Sequence, residues 1–358
     1  MLLSKTNAQW FSKKVIVWFE QHGRKHLPWQ HAVNAYRVWI SEIMLQQTQV
    51  VTVIPYYQRF MQRFPTLVDL AQATEDEVLP YWAGLGYYAR ARNLLKAAQW
   101  LHQNHFVDLP NDLELLNSLP GIGRSTAGAI VSLAYGTHAA LLDGNVKRVL
   151  TRFFAIEGWP EQRAVNERLW GIAQHVTPKI GVQHYNQAMM DLGATLCTRT
   201  KPRCNECPLQ TRCEAYASGN PTAFPHKKPT KEIPVRHHTF LILENNKQQI
   251  LLERRPPAGI WGGLWSFPEF ANQAAAIEWL ERNLNAKEII YEAWPTVTHQ
   301  FSHFTLKISP LHVMVKSRKP VMMDNSAKEW FSIEQGLTLG IPAPVKRLLV
   351  ESVMSEEV

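Results

Sequence analysis

The 358-residue chain has four cysteines, Cys197, Cys204, Cys207 and Cys213, all within 17 consecutive positions. Four thiolates on one short loop are soft ligands at close quarters and imply a metal centre. They are too few and too clustered to make a disulfide framework for a protein this long, which fits a reducing compartment. The spacing is Cys-x6-Cys-x2-Cys-x5-Cys. Structural zinc usually uses two close ligand couples, and here only Cys204 and Cys207 are so close. A tetrathiolate iron-sulfur cluster tolerates the wider spacing, so the residues favour iron-sulfur and leave zinc as the alternative. Arg199, Lys201, Arg203 and Arg212 make the loop basic, a property suited to gripping phosphates.

Two carboxylates lie upstream. On a continuous helix Glu42, Gln46 and Gln49 would fall at i, i+4 and i+7, which puts a carboxylate and two carboxamides on one face. Trp39, Ile40, Ile43 and Met44 would partly desolvate Glu42, raise its pKa and leave it able to donate a proton near neutrality. Further on, Leu119-Pro120-Gly121-Ile122-Gly123 separates a helix expected over 112–118 from another starting near Arg124. The two glycines permit a tight turn and bring backbone N–H groups to the mouth of the second helix, where the dipole favours an anion. The same turn can also be plain punctuation between helices. Asp143, in Leu142-Asp143-Gly144-Asn145-Val146-Lys147-Arg148, is placed to cap a helix beginning near Val146. Capping alone would account for an aspartate there.

The elements that must hold these groups divide in two. Through about residue 215 the chain reads as helical, with apolar residues such as Phe11, Val15, Trp18 and Phe19 at helical spacing. Residues 218–234, SGNPTAFPHKKPTKEIP, have linker composition. Strands are then expected over 238–243, 249–253 and 304–315, with a helix over 274–283. The expected fold is therefore two domains, mostly α over 1–217 and α+β over 235–358. The excess charge follows this division: residues 1–233 hold 25 Lys and Arg against 17 Asp and Glu, and residues 234–358 hold 13 of each. Basic charge confined to one domain suits a polyanion such as nucleic acid. No leader-like start and no run of about 18 apolar residues is found, so the expectation is an unexported protein with no membrane span.

Hairpin, aspartate and four-cysteine loop, in that order, resemble the helix-hairpin-helix DNA glycosylase superfamily with its iron-sulfur members. The segment Trp39-Ile40-Ser41-Glu42-Ile43-Met44-Leu45-Gln46-Gln47-Thr48-Gln49-Val50 is similar to the MutY-type adenine glycosylase branch. So are 84–92, GLGYYARAR, and 186–193, NQAMMDLG, and the similarity spans nearly the whole chain. The resemblance implies a hairpin over about 112–134, an iron-sulfur loop over 197–213 and one 4Fe-4S cluster on the four cysteines. It implies a monomeric base-excision enzyme of the bacterial cytoplasm, associated with the nucleoid through DNA. The expected substrate is duplex DNA carrying adenine opposite 8-oxoguanine or guanine.

By the same resemblance Asp143 is the catalytic carboxylate that stabilises an oxocarbenium-like sugar, and Glu42 is the acid that protonates the departing adenine and then activates water. Gln46 and Gln49 suit the adenine edge. Tyr87 is the intercalating wedge that accompanies base flipping, with Tyr88 the core residue beside it. Gly121, Gly123, Ser125, Asn145 and Lys147 are expected at the DNA. Ser125 stands where bifunctional relatives carry a Schiff-base lysine, which implies a monofunctional enzyme, although Lys147 lies close to Asp143 in sequence.

Residues 259–268, GIWGGLWSFP, resemble a Nudix-like domain, and Phe301-Ser302-His303 matches its 8-oxoguanine recognition loop. Trp261, Pro256 and Pro257 are expected to pack. Glu269, Glu278 and Glu281 are kept, but Ile277 replaces the hydrolase arginine and Arg282 stands where a metal-binding carboxylate would be, which argues for recognition over pyrophosphate hydrolysis. The rival readings are an endonuclease III-like enzyme for oxidised pyrimidines, a non-catalytic iron-sulfur DNA-binding module and a nucleoside diphosphate hydrolase with a DNA-binding arm. They are disfavoured respectively by Ser125 with the second domain, by Glu42 with Asp143, and by Arg282.

Overall fold

The structure, a computed structural model, describes residues 5–229, 232–284, 289–315 and 327–354. The chain forms two compact units, one of Met1–Gln72 with Asn93–Pro229, the other of Ala73–Arg92 with Thr230–Val358. Residues 73–92, grouped with the helical part in the sequence reading, thus belong with the carboxy-terminal unit.

In the first unit the helices are α1 (Lys5–His22), α2 (Ala35–Leu45), α3 (Val50–Arg63) and α4 (Leu67–Ala71). After α5 (Glu75–Trp82), which belongs to the other unit, come α6 (Ala89–Gln103), whose residues through Arg92 also belong to that unit, α7 (Leu113–Ser118), α8 (Arg124–Tyr135), α9 (Gly144–Phe153), α10 (Arg163–Val176), α11 (Val182–Asp191) and α12 (Glu214–Ala217). Side chains set the starts: Asn34 accepts from the Arg37 N–H, Asp112 from those of Glu114 and Leu115, and Asp143 from that of Val146. Phe11, Val15, Trp18 and Phe19 of α1 are buried in a core they share with α9, α10 and α11. The helix of α8 lies close against the segment before α9, because a Cβ on Gly128 would come within 2.4 Å of the Ala140 carbonyl oxygen. Asn186 of α11 donates to Ser132 Oγ at 2.7 Å and to the Ala139 carbonyl at 2.9 Å, which fixes the same segment from the other side.

Asp191, at the end of α11, is fully buried and takes the Arg24 main-chain N–H at 2.8 Å and its guanidinium at 2.5 and 2.9 Å. Beyond it a π-helical turn, Leu192–Leu196, leads into the cysteine loop.

In the second unit, β1 (Val235–Asn245) runs parallel to β7 (Thr305–Val315) along its whole length, from Val235↔Thr305 to Asn245↔Val315. On the β1 side lie β2 (Gln249–Arg254), β3 (Trp265–Ser266), β4 (Glu269–Phe270) and β8 (Lys328–Ser332); β5 (Ile289–Ala293) and β6 (Val297–Gln300) both pair antiparallel with β7. Helix α13 (Gln273–Asn283) covers one face through Ala276 and Leu280 against Leu241, Leu243, Leu311 and Val313. Helices α14 (Ile333–Thr338) and α15 (Ala343–Met354) follow β8. The α+β reading holds, but strands β3, β4, β5, β6 and β8 lie outside those expected, and the two-residue β3 and β4 are too short to leave an alternating pattern. Helix α5 is held to this unit by an Asp76–Arg254 ion pair at 2.9 Å and by Leu79, whose Cβ lies 2.9 Å from where a Cβ on Gly340 would stand.

Because Asp191 is dry and the Arg24 charge depends on it, Asp191→Ala should cost about 3 kcal/mol of stability. Urea unfolding followed by helical circular dichroism measures this; a loss too small to detect would mean that the pair is dispensable.

Candidate active site and cysteine loop

Glu42 lies in the last turn of α2, a helix whose other positions are mostly buried, including Trp39, Ile40, Ile43 and Met44. Glu42 as a whole residue is half-buried, and its carboxyl is surrounded by protein. Burial, reinforced by the neighbouring Asp143 carboxylate, pushes its pKa up to about 8. The fold thus brings together two carboxyl groups about a hundred residues apart in sequence.

Asp143 caps α9, and the residue as a whole is half-buried. Burial raises its pKa too, but the Val146 N–H at 2.7 Å, the Asn145 amide at 3.0 Å and the nearby Arg148 cation oppose the rise. Among the described contacts the anion is compensated at Asp143 and not at Glu42. The two carboxyls therefore differ in how far their neighbours offset the cost of burial.

Ser125 Oγ accepts the Leu142 N–H at 3.0 Å, tying the first turn of α8 to the residue before Asp143. Asn145 orients Asp143 and is in turn held by Arg148, which donates to its Oδ1 at 2.8 Å. Lys147 is drawn to Glu161, with both carboxylate oxygens within 3.0 Å of Nζ. The hairpin between α7 and α8 is present, with Gly121 at φ +78° and both Gly121 and Gly123 exposed. A Cβ on Gly121 would also meet Asn93 Cβ at 2.8 Å, so both conformation and space favour glycine.

The single helical face expected for Glu42, Gln46 and Gln49 is not formed. Helix α2 ends at Leu45, Gln46 is its C-cap, Gln47 turns through φ +58°, and Gln49 is the N-cap of α3. Four consecutive polar residues, Gln46-Gln47-Thr48-Gln49, interrupt the apolar pattern and were the available signal for this break.

Two residues that the sequence reading did not single out join the site to the cysteine loop. Arg148 donates to the carbonyls of Gly193 and Cys197, both at 2.7 Å. Arg152, only 2% exposed, donates to the carbonyls of Thr198 at 2.7 Å and of Arg199 and Phe224 at 2.9 Å, and to Cys197 Sγ at 3.3 Å. Their four-residue spacing on a helix that starts at Asp143 was a usable clue. All four cysteines line one cavity with Leu196, Pro202 and Pro221. Among the described residues no three His, Cys, Asp or Glu side chains converge as a single-ion site. Burial pushes the Cys207 thiol up to about 12 and raises those of Cys204 and Cys213.

In the second unit, Gly84 (φ +104°), Gly86 (φ +69°) and Tyr87 (φ +49°) form a left-handed turn. Positive φ is rare for an aromatic residue and needs support. Arg90 supplies it, donating to the Leu85 and Gly86 carbonyls at 3.2 and 3.1 Å with its guanidinium 5.6 Å from the Tyr87 ring. Tyr87 is 49% exposed and Tyr88 is buried.

Phe301, Ser302 and His303 form the turn between β6 and β7, closed by the Phe301 N–H to the Phe304 carbonyl at 2.9 Å. The Phe301 ring lies 5.2 Å from that of Trp261 and 4.7 Å from that of His299, and Ser302 and His303 project into solvent. Trp261 is buried, as packing requires. Glu269 is paired with Arg255 and His238, and Glu278 with Arg282.

Residues 40–175 match the family model of the HhH-GPD superfamily base excision DNA repair protein, and residues 238–351 match that of the NUDIX domain. A thermostable thymine-DNA glycosylase superposes with a TM-score of 0.54 at 27% identity, covering 60% of this chain and 100% of that one. Endonuclease III in a non-covalent DNA complex gives 0.52 at 24% identity, over 61% of this chain and 99% of that one, and shares the fold. These define a helix-hairpin-helix base-excision repair protein with an appended Nudix-like domain.

The chain is 39% identical to the adenine DNA glycosylase of Buchnera aphidicola subsp. Baizongia pistaciae over 95% of its length and 96% of that protein. It is 33% identical to the Homo sapiens adenine DNA glycosylase, over 94% of this chain and 73% of that one. It therefore belongs to the adenine DNA glycosylase family.

The Glu42 carboxyl should ionise only as pH rises through about 8. Its folded pKa lies above the unfolded value, so its contribution to stability is complete below the unfolded pKa and is lost as pH rises through the folded one. Glu42→Gln should therefore melt higher than the parent at pH 9 and show less difference at pH 5, by calorimetry. A variant no more stable at pH 9 would contradict the burial of this carboxyl.

Proposed function

We propose that the protein is a monofunctional glycosylase that excises adenine mispaired with 8-oxoguanine or guanine in duplex DNA. The observation that carries this reading is the unequal carboxylate pair, Glu42 raised to about 8 beside an Asp143 whose charge is compensated by hydrogen bonds and Arg148. Adenine leaves poorly as an anion, so Glu42 protonates the flipped base as the N-glycosidic bond breaks. Asp143 faces the positive charge that develops on the sugar and lowers the barrier electrostatically. Glu42, now ionised, activates the water that completes hydrolysis.

Tyr87, exposed on its strained turn, fills the gap left by the flipped nucleotide. Gln46 and Gln49, in the turn between α2 and α3, serve the adenine edge; Gly121 and Gly123 offer backbone N–H groups to phosphate. Ser125, Asn145 and Lys147 act at the same face, the first two through Asp143. Ser302 and His303, projecting from a stacked base, read the base opposite adenine. With Glu269 and Glu278 already paired to cations, the Nudix-like domain recognises DNA and does not hydrolyse nucleotides.

The four cysteines suit a 4Fe-4S cluster. They surround one cavity with apolar walls, and the buried Arg152 guanidinium offsets thiolate charge at Cys197. Such a cluster would supply structure to the basic loop and take no part in bond cleavage. The enzyme works as a monomer in the cytoplasm; among the described residues no helix is long and apolar enough to cross a membrane.

Incubation with duplexes carrying A:8-oxoG, A:G, thymine glycol or no lesion should release free adenine from the first two only. Release of adenine by Glu42→Gln at the parental rate would remove the proposed acid. Borohydride should trap little enzyme on abasic product, since Ser125 replaces the lysine; stoichiometric trapping would contradict monofunctional action. Purified anaerobically, the protein should be brown with four irons per chain, and Arg152→Met should lower the iron content. A colourless zinc protein would refute the cluster.

A further inference from the structure

The segment that carries Tyr87 is built into the same compact unit as the Phe301-Ser302-His303 turn. Between them runs a short series of contacts. The Arg90 N–H donates to the Tyr87 carbonyl at 2.9 Å and the Arg92 N–H to that of Tyr88 at 3.2 Å, which joins the left-handed turn to the start of α6. The Arg92 guanidinium then donates to the Gly262 carbonyl. Gly262 is flanked by Trp261, whose ring contacts Phe301 and His299.

Each link is closely confined. A Cβ on Gly262 would come within 2.3 Å of the Pro257 carbonyl oxygen, and one on Gly263 within 3.2 Å of Glu75 Oε2 and 3.8 Å of Arg92 Cδ. Trp261 stands at φ +53° and Gly263 at φ +78°, so the turn has little freedom to relax. Arg255 fixes its other side, donating to the Ile260 carbonyl at 3.1 Å while its own carbonyl accepts the Gly263 N–H at 3.2 Å.

We infer that Arg92 is a positioning residue that couples the turn reading the opposite base to the turn that inserts Tyr87. A displacement of Phe301 on lesion binding moves Trp261, hence the Gly262 carbonyl, hence the helix start that presents Tyr87. The inference rests on the proposed reading of Phe301-Ser302-His303 and extends it: recognition of 8-oxoguanine improves wedge insertion, and thereby excision, through this one strut. With guanine opposite adenine the strut has nothing to transmit.

A double-mutant cycle on the full-length protein tests it, using single-turnover adenine release from A:8-oxoG and A:G duplexes. Arg92→Gln should lower the A:8-oxoG rate about tenfold, equivalent to about 1.4 kcal/mol, with the A:G rate little changed. The same change should have no further effect once Ser302 and His303 are alanine. Arg92→Lys keeps the charge but has no planar fork, and should fall between the two. It also serves if the glutamine variant does not fold. A purely structural role would lower both rates together and would overturn the inference, as would independent, multiplying effects of Arg92 and the loop. If the parent shows no preference for 8-oxoguanine and the loop variants change nothing, the reading of the loop fails and the coupling with it.

Discussion

The helical unit depends on a buried guanidinium. Arg152 is withdrawn from solvent, and the carbonyls of Thr198, Arg199 and Phe224 with the Cys197 sulfur take its donors. A buried cation is tolerated only when its donors are matched, and a loop without regular structure has carbonyls to spare. The exchange satisfies both. One turn earlier on the same helix Arg148 does the same for Gly193 and Cys197, and also holds Asn145 against Asp143. Helix α9 is therefore a rigid bar with a carboxylate at its mouth and the cysteine loop along its side. Anything that disorders that loop must loosen the orientation of Asp143.

A second constraint is steric. The π-helical turn after α11 passes so close to α9 that a Cβ on Gly193 would lie 2.6 Å from Asn145 Cβ. Close approach at Gly193 is what brings its carbonyl to Arg148. On the opposite side Gly128 admits the segment that leads into Asp143, and Ser125 pins its Leu142 N–H. Asp143 is thus located by close approaches at Gly193 and Gly128 and by the Ser125 hydrogen bond. In the second unit strain serves a similar end: the turns at Tyr87 and Trp261 both hold aromatic residues at positive φ, and each is supported by an arginine.

Much of this was legible in the residues alone. The four cysteines, the Pro-Gly-x-Gly turn and Asp143 are local signals whose meaning depends on side-chain chemistry and short spacing, and the structure places them on one loop, one hairpin and one helix cap. The helical first part and the long strands β1, β2 and β7 were equally visible, because their apolar periodicity extends over enough residues to be unambiguous. The shorter strands β3, β4, β5, β6 and β8 were not, and neither was the end of α2 at Leu45, where a favourable i, i+4, i+7 spacing concealed a break in the backbone.

The sequence by itself determined which groups are available: a carboxyl in an apolar setting, a capping aspartate, four thiols, and a serine where a nucleophilic lysine could stand. Only the tertiary structure decided how they act, because pKa and orientation depend on neighbours distant in the chain. Burial, with Asp143 a hundred residues away adding to it, raises Glu42; Arg152 reaches Phe224, and Arg92 meets Gly262. Such contacts leave no periodicity to read. They exist because folding removes water from between the partners, and in that drier setting a single charge or carbonyl determines whether a neighbour keeps its proton or its position.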